Sequence, residues 1–152
     1  MPKFETRRRV PHTALQMYDL VADVERYPQF LPLCNALRVR SREAQTDGEV
    51  LVADMEIGYR AIRERFTSRV TLAPAALQIA STYVDGPFQR MDNRWTFVDV
   101  AGQSGQSDVI FFIDYEFKSM ILQMLMGSMF DAAFRKFTGA FEARAKQVYG
   151  MA

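Results

Sequence analysis

A chain of 152 residues, 49% hydrophobic and 24% charged, has the composition of a soluble globular unit rather than a fibrous or disordered one. A chain of this length can bury roughly 70% of the surface its unfolded form exposes. A formal net charge of +1 excludes a strongly basic or acidic body, although the basic side chains are fifteen Arg against four Lys.

Cys34 is the one cysteine, which excludes an intramolecular disulfide framework and fits a reducing compartment, the cytoplasm by default. Met1 to Val10 has charge but no apolar h-region, so no secretory signal is expected. The most apolar window, Met120 to Phe130, is broken by Gln123, Gly127 and Ser128. It falls short of the ~20 residues needed to span a bilayer, and no membrane crossing is expected.

In chain order, Phe4 to Val10 reads as a strand ended by Pro11. Thr13 followed by Gln16 forms a capping box that opens a helix running to about Ala22. Asp23 to Pro32 is aromatic and interrupted by Pro28 and Pro32, which limit a second helix to a turn or two between them. This piece is expected to pack as core or to form a movable flap over a pocket. From Asn35 the apolar period changes from 3.6 to 2, the mark of half-buried strands. Leu37 and Val39 alternate with Arg38, Arg40 and Arg42; Asp47-Gly48 turns the chain; Leu51, Ala53, Met55 and Ile57 follow. Gly58 is expected to mark the next reversal. Ile62, Phe66 and Val70 then share a face with Glu64 and Ser68, and Leu77 to Val84 makes the next strand. Met91, Asn93, Trp95 and Phe97 continue the inward series, and Val109, Phe111, Ile113, Tyr115 and Phe117 finish it.

Ser119 to about Val148 reads as one helix of about thirty residues, ~45 Å long. Phe130, Phe134, Phe137, Phe141, Ala145 and Val148 form its apolar stripe. The first turns, Met120-Ile121-Leu122 and Met124-Leu125-Met126, are apolar nearly all round, so cover on several sides is expected there. The fold class that follows is α+β: a curved antiparallel sheet of about seven strands gripping a long C-terminal helix, with two short helices after the first strand. A gap is expected where the helix lies in the concave sheet.

Asp23-Val24-Glu25-Arg26-Tyr27-Pro28-Gln29-Phe30-Leu31-Pro32-Leu33-Cys34, Gly86-Pro87-Phe88, Trp95-Thr96-Phe97, Phe111 through Phe117 and Ala140 through Ala145 together resemble the coenzyme Q-binding and polyketide cyclase-like branch of the START-like, helix-grip domains. The resemblance runs nearly end to end and implies a single lipid-binding domain over 1–152. It also implies a hydrophobic tunnel holding ubiquinone or a similar polyisoprenoid lipid, in proteins that assist respiration without catalysing a step. The same family includes bacterial ribosome-association toxins, which makes the large ribosomal subunit an alternative partner, and polyketide cyclases, which make an enzyme a further one.

The candidate ligand-binding set, chosen by position, is Tyr27, Phe30, Leu31, Met55, Glu64, Phe66, Phe88, Asn93, Trp95, Phe111, Met124, Phe130, Phe134 and Phe137. A pocket wall and a filled core use the same residue types. Met120, Met124, Met126 and Met129 suit a lining for a flexible chain. Glu64, if it faces the cavity with Asn93, Ser68 and Tyr83, offers hydrogen bonds to quinone oxygens. A bulge turning it outward, or an Arg partner, is the favoured alternative. Two or three isoprene units at ~0.8 kcal/mol per buried methylene outweigh any single hydrogen bond, so the tail dominates affinity. Part of a long tail should stay outside the protein, implying transient contact with the inner membrane surface.

Little points to catalysis. His12 beside Pro11 reads as a surface residue, Cys34 as a structural thiol, and no metal-ligand spacing or catalytic residue is expected. Arg7, Arg8, Arg9, Arg38, Arg40, Arg42, Arg63, Arg65 and Arg69 lie on neighbouring strands. Pairing with Asp54 and Glu56 across the sheet ranks first, an anionic membrane or ribosomal RNA second, and no DNA partner is expected.

Overall fold

The computed structural model describes residues 3–59 and 62–150. Strand β1 (Lys3–Val10) leads to helix α1 (Ala14–Ala22) and a 3-10 helix (Val24–Gln29). Six strands follow in a meander: β2 (Cys34–Gln45), β3 (Gly48–Tyr59), β4 (Ile62–Ala73), β5 (Gln78–Asp85), β6 (Phe88–Asp99) and β7 (Ser107–Phe117). Helix α2 (Met120–Tyr149) ends the described chain. All seven strands join one antiparallel sheet in the order β1-β7-β6-β5-β4-β3-β2, so β1 returns across the sheet to pair with β7.

The local chemistry is as read. Thr13 Oγ1 accepts from the Gln16 N–H at 3.1 Å while Gln16 Oε1 accepts from the Thr13 N–H at 2.9 Å, a closed capping box. Ser119 caps α2 by accepting from the Leu122 N–H at 3.2 Å. The 3-10 helix lies earlier than expected: Pro28 is inside it rather than before it, because proline's fixed φ suits a tight turn that asks for no further amide donor there. The reversal expected at Gly58 also falls further on. Gly58 is paired with Arg63 within β3 and β4, a ladder that runs on to Tyr59 and Ile62; residues 60–61 lie outside the described residues.

The sheet bends because its ladders are interrupted. Register shifts occur between Cys34 and Ala36, Val39 and Ser41, Thr67 and Ser68, and Phe88 and Arg90. Each extra residue bends its strand and increases the local twist, so the sheet curls around α2. Gly86, at φ +143°, makes the tight entry to β6; a Cβ there would stand 2.5 Å from the Phe66 Cβ.

The concave face and α2 meet in an aromatic core. Phe88 stacks on Phe117 at 5.0 Å and meets Phe66, Tyr83, Tyr115 and Phe130 edge-on. Trp95 sits 4.6 Å from Phe111 and 5.0 Å from Phe141. The stripe on α2 is buried at Phe130, Phe134, Phe141 and Ala145, half-buried at Phe137, and exposed at Val148, which lies past the last core contact. The expected cover over the first turns is absent among the described residues: Met120, Ile121, Met124 and Leu125 are exposed, and Met126 alone of those turns is buried. No helix of the described chain is long and apolar enough to cross a membrane.

On the outer face the expected cross-strand pairs form in part. Arg40 meets Asp54 at 2.6 Å and Arg63 meets Glu56 at 3.3 Å; Arg42, opposite the inward Leu51, instead bridges Glu49 and Glu25 of the 3-10 helix. Burial alone would raise the Asp54 carboxyl, but the Thr67 hydroxyl and Arg40 outweigh it and hold the group below its ordinary range. At the opposite edge Arg7 and Arg9 both bond Asp108, at 2.8 and 3.0 Å, and Arg8 reaches across to Glu142 on α2 at 2.7 Å.

Candidate functional site

Between the sheet and α2 lies a cavity of about 90 Å³, walled by β2 to β7, the segment 24–33 and α2. Its apolar walls include Tyr27, Leu31, Met55, Phe66, Trp95, Phe111, Phe130, Phe134 and Phe137, all from the candidate set. Ligand pockets usually measure ~300 to 1,000 Å³. The open tunnel expected from the sequence is therefore largely filled by aromatic rings, and an elongated ligand requires α2 or those rings to move.

The polar groups of the cavity are few and adjacent. Ser68 on β4, Ser81 on β5 and Asn93 on β6 line its floor. Ser81 is the direct cross-strand partner of Asn93, and it pairs on its other side with Val70, two residues from Ser68. The Asn93 amide donates to the Phe112 carbonyl at 2.9 Å, which fixes its orientation. Among the described residues the Ser68 and Ser81 hydroxyls and the Asn93 carbonyl oxygen have no protein partner. Three free polar atoms on an apolar floor can hold a carbonyl or hydroxyl of an otherwise greasy molecule.

Four members of the candidate set lie outside the cavity. Phe88 is sealed at 0% exposure among other rings, because the bulge beside it and the Gly86 turn drive it into the core. Phe30 stands on the far side of Phe141, 5.1 Å away, beneath Arg144. Met124 points to solvent, on the face of α2 turned from the sheet. Glu64 is half-buried, with neither an Arg partner nor a place on the lining among the described residues; its charge acts on Tyr83. Tyr83 is likewise diverted, its hydroxyl accepting from the Phe88 N–H at 3.1 Å.

Sequence reasoning missed Ser81, although it shares its parity with Ile79 and Tyr83. It also missed Phe141 and Pro32 as lining residues. Leu33 adopts φ +67°, a left-handed conformation unusual for a branched residue, and nothing in the residue pattern marks it. Pro32, Leu33 and Ala133 line both the cavity and a shallow groove of about 360 Å³ that continues along Ser128, Met129, Ala132 and Lys136. The groove and the cavity thus share a wall at Pro32, Leu33 and Ala133.

Of the two readings of the segment 23–32, core packing or a movable flap, the structure has the first: Tyr27 and Leu31 are buried and the segment is fastened. The Tyr27 hydroxyl donates to the Val21 carbonyl, its ring meets Phe141 at 5.3 Å, and Gln29 accepts from Arg144 at 2.6 Å. Burial pushes the Tyr27 phenol well above its ordinary range, so it stays a neutral donor. His12, expected at the surface, is buried against the Tyr149 ring at 5.9 Å, because α2 is long enough to reach back over the start of α1. Cys34 is buried, and desolvation pushes its thiol up to about 12. Among the described residues no three His, Cys, Asp or Glu side chains converge as metal ligands would.

Comparison with known proteins follows this geometry. The family model described as "Polyketide cyclase / dehydrase and lipid transport" matches residues 10–142. The ribosome association toxin RatA of Rickettsia prowazekii is 33% identical over 151 residues, covering 97% of this chain and 99% of that protein. The mitochondrial coenzyme Q-binding protein COQ10 homolog B of Xenopus laevis is 34% identical, over 89% of this chain and 54% of that longer protein. The solution structure of an 18 kDa protein from Caulobacter crescentus aligns over 99% of this chain and 100% of that one, with 30% identity and a TM-score of 0.79. An aromatase/cyclase from a Streptomyces strain, covering 96% of this chain and 94% of its own, reaches a TM-score of 0.77 at 16% identity and shares the fold alone. The chain belongs to the polyketide cyclase/dehydrase and lipid-transport family, the START-like helix-grip proteins.

Proposed function

We propose that this chain is a non-enzymatic carrier of one apolar ligand of the isoprenoid quinone class, held with its polar head near Ser68, Ser81 and Asn93 and its tail leaving along the groove at Pro32, Leu33 and Ala133. The observation that carries this reading is the polar trio on the floor of an otherwise apolar cavity. The walls supply affinity, each buried methylene contributing ~0.8 kcal/mol, and the trio supplies orientation. Because the resting cavity is about 90 Å³, the ligand makes its own room by displacing rings on α2. The protein works in the cytoplasm, on or near the inner membrane, as one lipid-binding domain. The test is organic extraction of the purified protein followed by mass spectrometry. A near-stoichiometric prenylated quinone is expected, falling several-fold in a Ser81→Val/Asn93→Leu variant; a protein that extracts empty from quinone-replete cells sinks the reading.

A second reading, association with the large ribosomal subunit, is favoured by the relatives. RatA proteins of Rickettsia prowazekii and Escherichia coli match over 97% and 98% of this chain, against a partial match to the longer COQ10 homolog. For the cellular role this reading has the stronger support, and it is compatible with a ligand in the cavity. Arg38 and Arg69, exposed on the outer face and outside the ion pairs described, suit phosphate. Co-sedimentation with large subunits that weakens steeply with salt is expected; no co-sedimentation at low salt would remove it.

A further inference from the structure

The first turns of α2 leave a large apolar surface in water. Met120, Ile121, Met124 and Leu125 are 76%, 69%, 79% and 59% exposed, on the face turned from the sheet. A contiguous patch of this kind on a folded protein marks a contact surface. Two further features say which contact. Helical spacing carries the patch from Leu125 through Met129 and Ala132 to Lys136, so it runs into the groove that shares Pro32, Leu33 and Ala133 with the cavity wall. Between Lys118 and Asp131 there is no ionisable side chain, and the Asp131 carboxylate is taken up by Arg135 at 3.0 Å. Lys118 and Lys136, at the two ends, have no ion-pair partner among the described residues. An apolar strip rimmed by unpaired lysines and free of uncompensated carboxylate matches an anionic bilayer surface, with side chains in the acyl boundary and ammonium groups at headgroup level.

We infer that the exposed face of α2 from Met120 to Leu125 is a docking surface for anionic lipid bilayers, placing the groove at Pro32 and Leu33 against the membrane so that a lipid passes between bilayer and cavity without crossing water. This deepens the carrier reading and rests on it for the purpose of docking, not for its existence.

The experiment is flotation of the purified full chain with vesicles of phosphatidylcholine containing one part in about three phosphatidylglycerol, at low and physiological salt. The native protein is expected to float, less so at higher salt and less with phosphatidylcholine alone. An Ile121→Asp/Met124→Asp variant, folded by circular dichroism, is expected to lose binding by on the order of tenfold or more. A Val98→Asp variant, altered at an exposed position on β6, is expected to float like the native chain. Failure of the native chain to float, or undiminished flotation of the double variant, overturns the inference. So does sedimentation of the native chain as a dimer that the double variant abolishes, since the patch would then be a self-interface. Extraction of the same preparations separates the two claims: bound quinone without flotation removes docking alone, and flotation of an empty protein removes the carrier reading alone.

Discussion

Individual side chains in this molecule are decided by what surrounds them more than by their type. Cys34 shows it: its Sγ lies 3.8 Å from the Ala36 carbonyl, and burial pushes the thiol up to about 12. Alkylation by iodoacetamide at pH 8 is expected to be slower than that of a free thiol by orders of magnitude and to speed up only in denaturant, because the thiolate is the nucleophile. Rapid native-state labelling would show that the segment 24–34 opens. Phe88 shows the same at the centre of the core. Phe88→Ala is expected to cost ~3 to 5 kcal/mol by urea denaturation, with little effect on the cavity from which it is walled off. Alternation alone placed Met55, Phe66, Asn93, Trp95 and Phe111 correctly on the concave face, since a strand has only two faces to choose from. It could not separate cavity wall from sealed core, as Phe88 demonstrates, because that distinction depends on a bulge and a glycine turn that bring other rings against it. Asn93 and Ser81 were separable from core in principle: polar residues at inward parity need a reason to be there.

At the scale of elements, edge strand β1 is attached to the sheet by one neighbour, β7. Asp108 on β7 takes hydrogen bonds from Arg9 and Arg7 of β1, and these bonds, Arg9 foremost, hold its carboxyl below the ordinary range. A carboxylate depressed on folding contributes stability above its unfolded value of ~3.9 and loses it as pH falls through the lower folded value. Asp108→Asn is therefore expected to lower the urea midpoint at pH 7, and the gap from the native chain should close as the pH falls below about 4. A gap that persists at pH 2 would mean that packing, not charge, holds the edge. Helix α2 was legible along its whole length from the spacing of its phenylalanines, but its surroundings were not. An apolar first turn reads as buried only if something exists to bury it, and the periodicity of one element carries no information about what covers it. The short 3-10 helix was legible as a break, through Pro28 and Pro32, yet its fastening through Gln29 rests on Arg144, a partner distant in the chain.

For the molecule as a whole, the meander order of β2 to β7 followed from turn residues between alternating runs, and the closing helix followed from the change of period. What no local pattern gives is the distance left between sheet and helix, since that depends on the sum of side-chain volumes against curvature. Here the two nearly balance, with about 90 Å³ remaining. The two ends of α2 are held very differently. Near its C-terminus the Tyr149 hydroxyl donates to the Gln16 carbonyl at 2.9 Å, Arg144 bonds Gln29 at 2.6 Å, and the Phe141 ring is caught between Tyr27 and Trp95. At the other end the inward anchors are Phe130, Met126 and the half-buried Leu122, while Met120, Ile121, Met124 and Leu125 stand in water. Measured from Phe141, the arm of the helix out to Met120 is about 30 Å. A tilt of ~5° about Phe141 would carry Met120 roughly 3 Å, and enlarging the chamber that way has to draw Phe130 out of its contacts with Phe88 and Phe117.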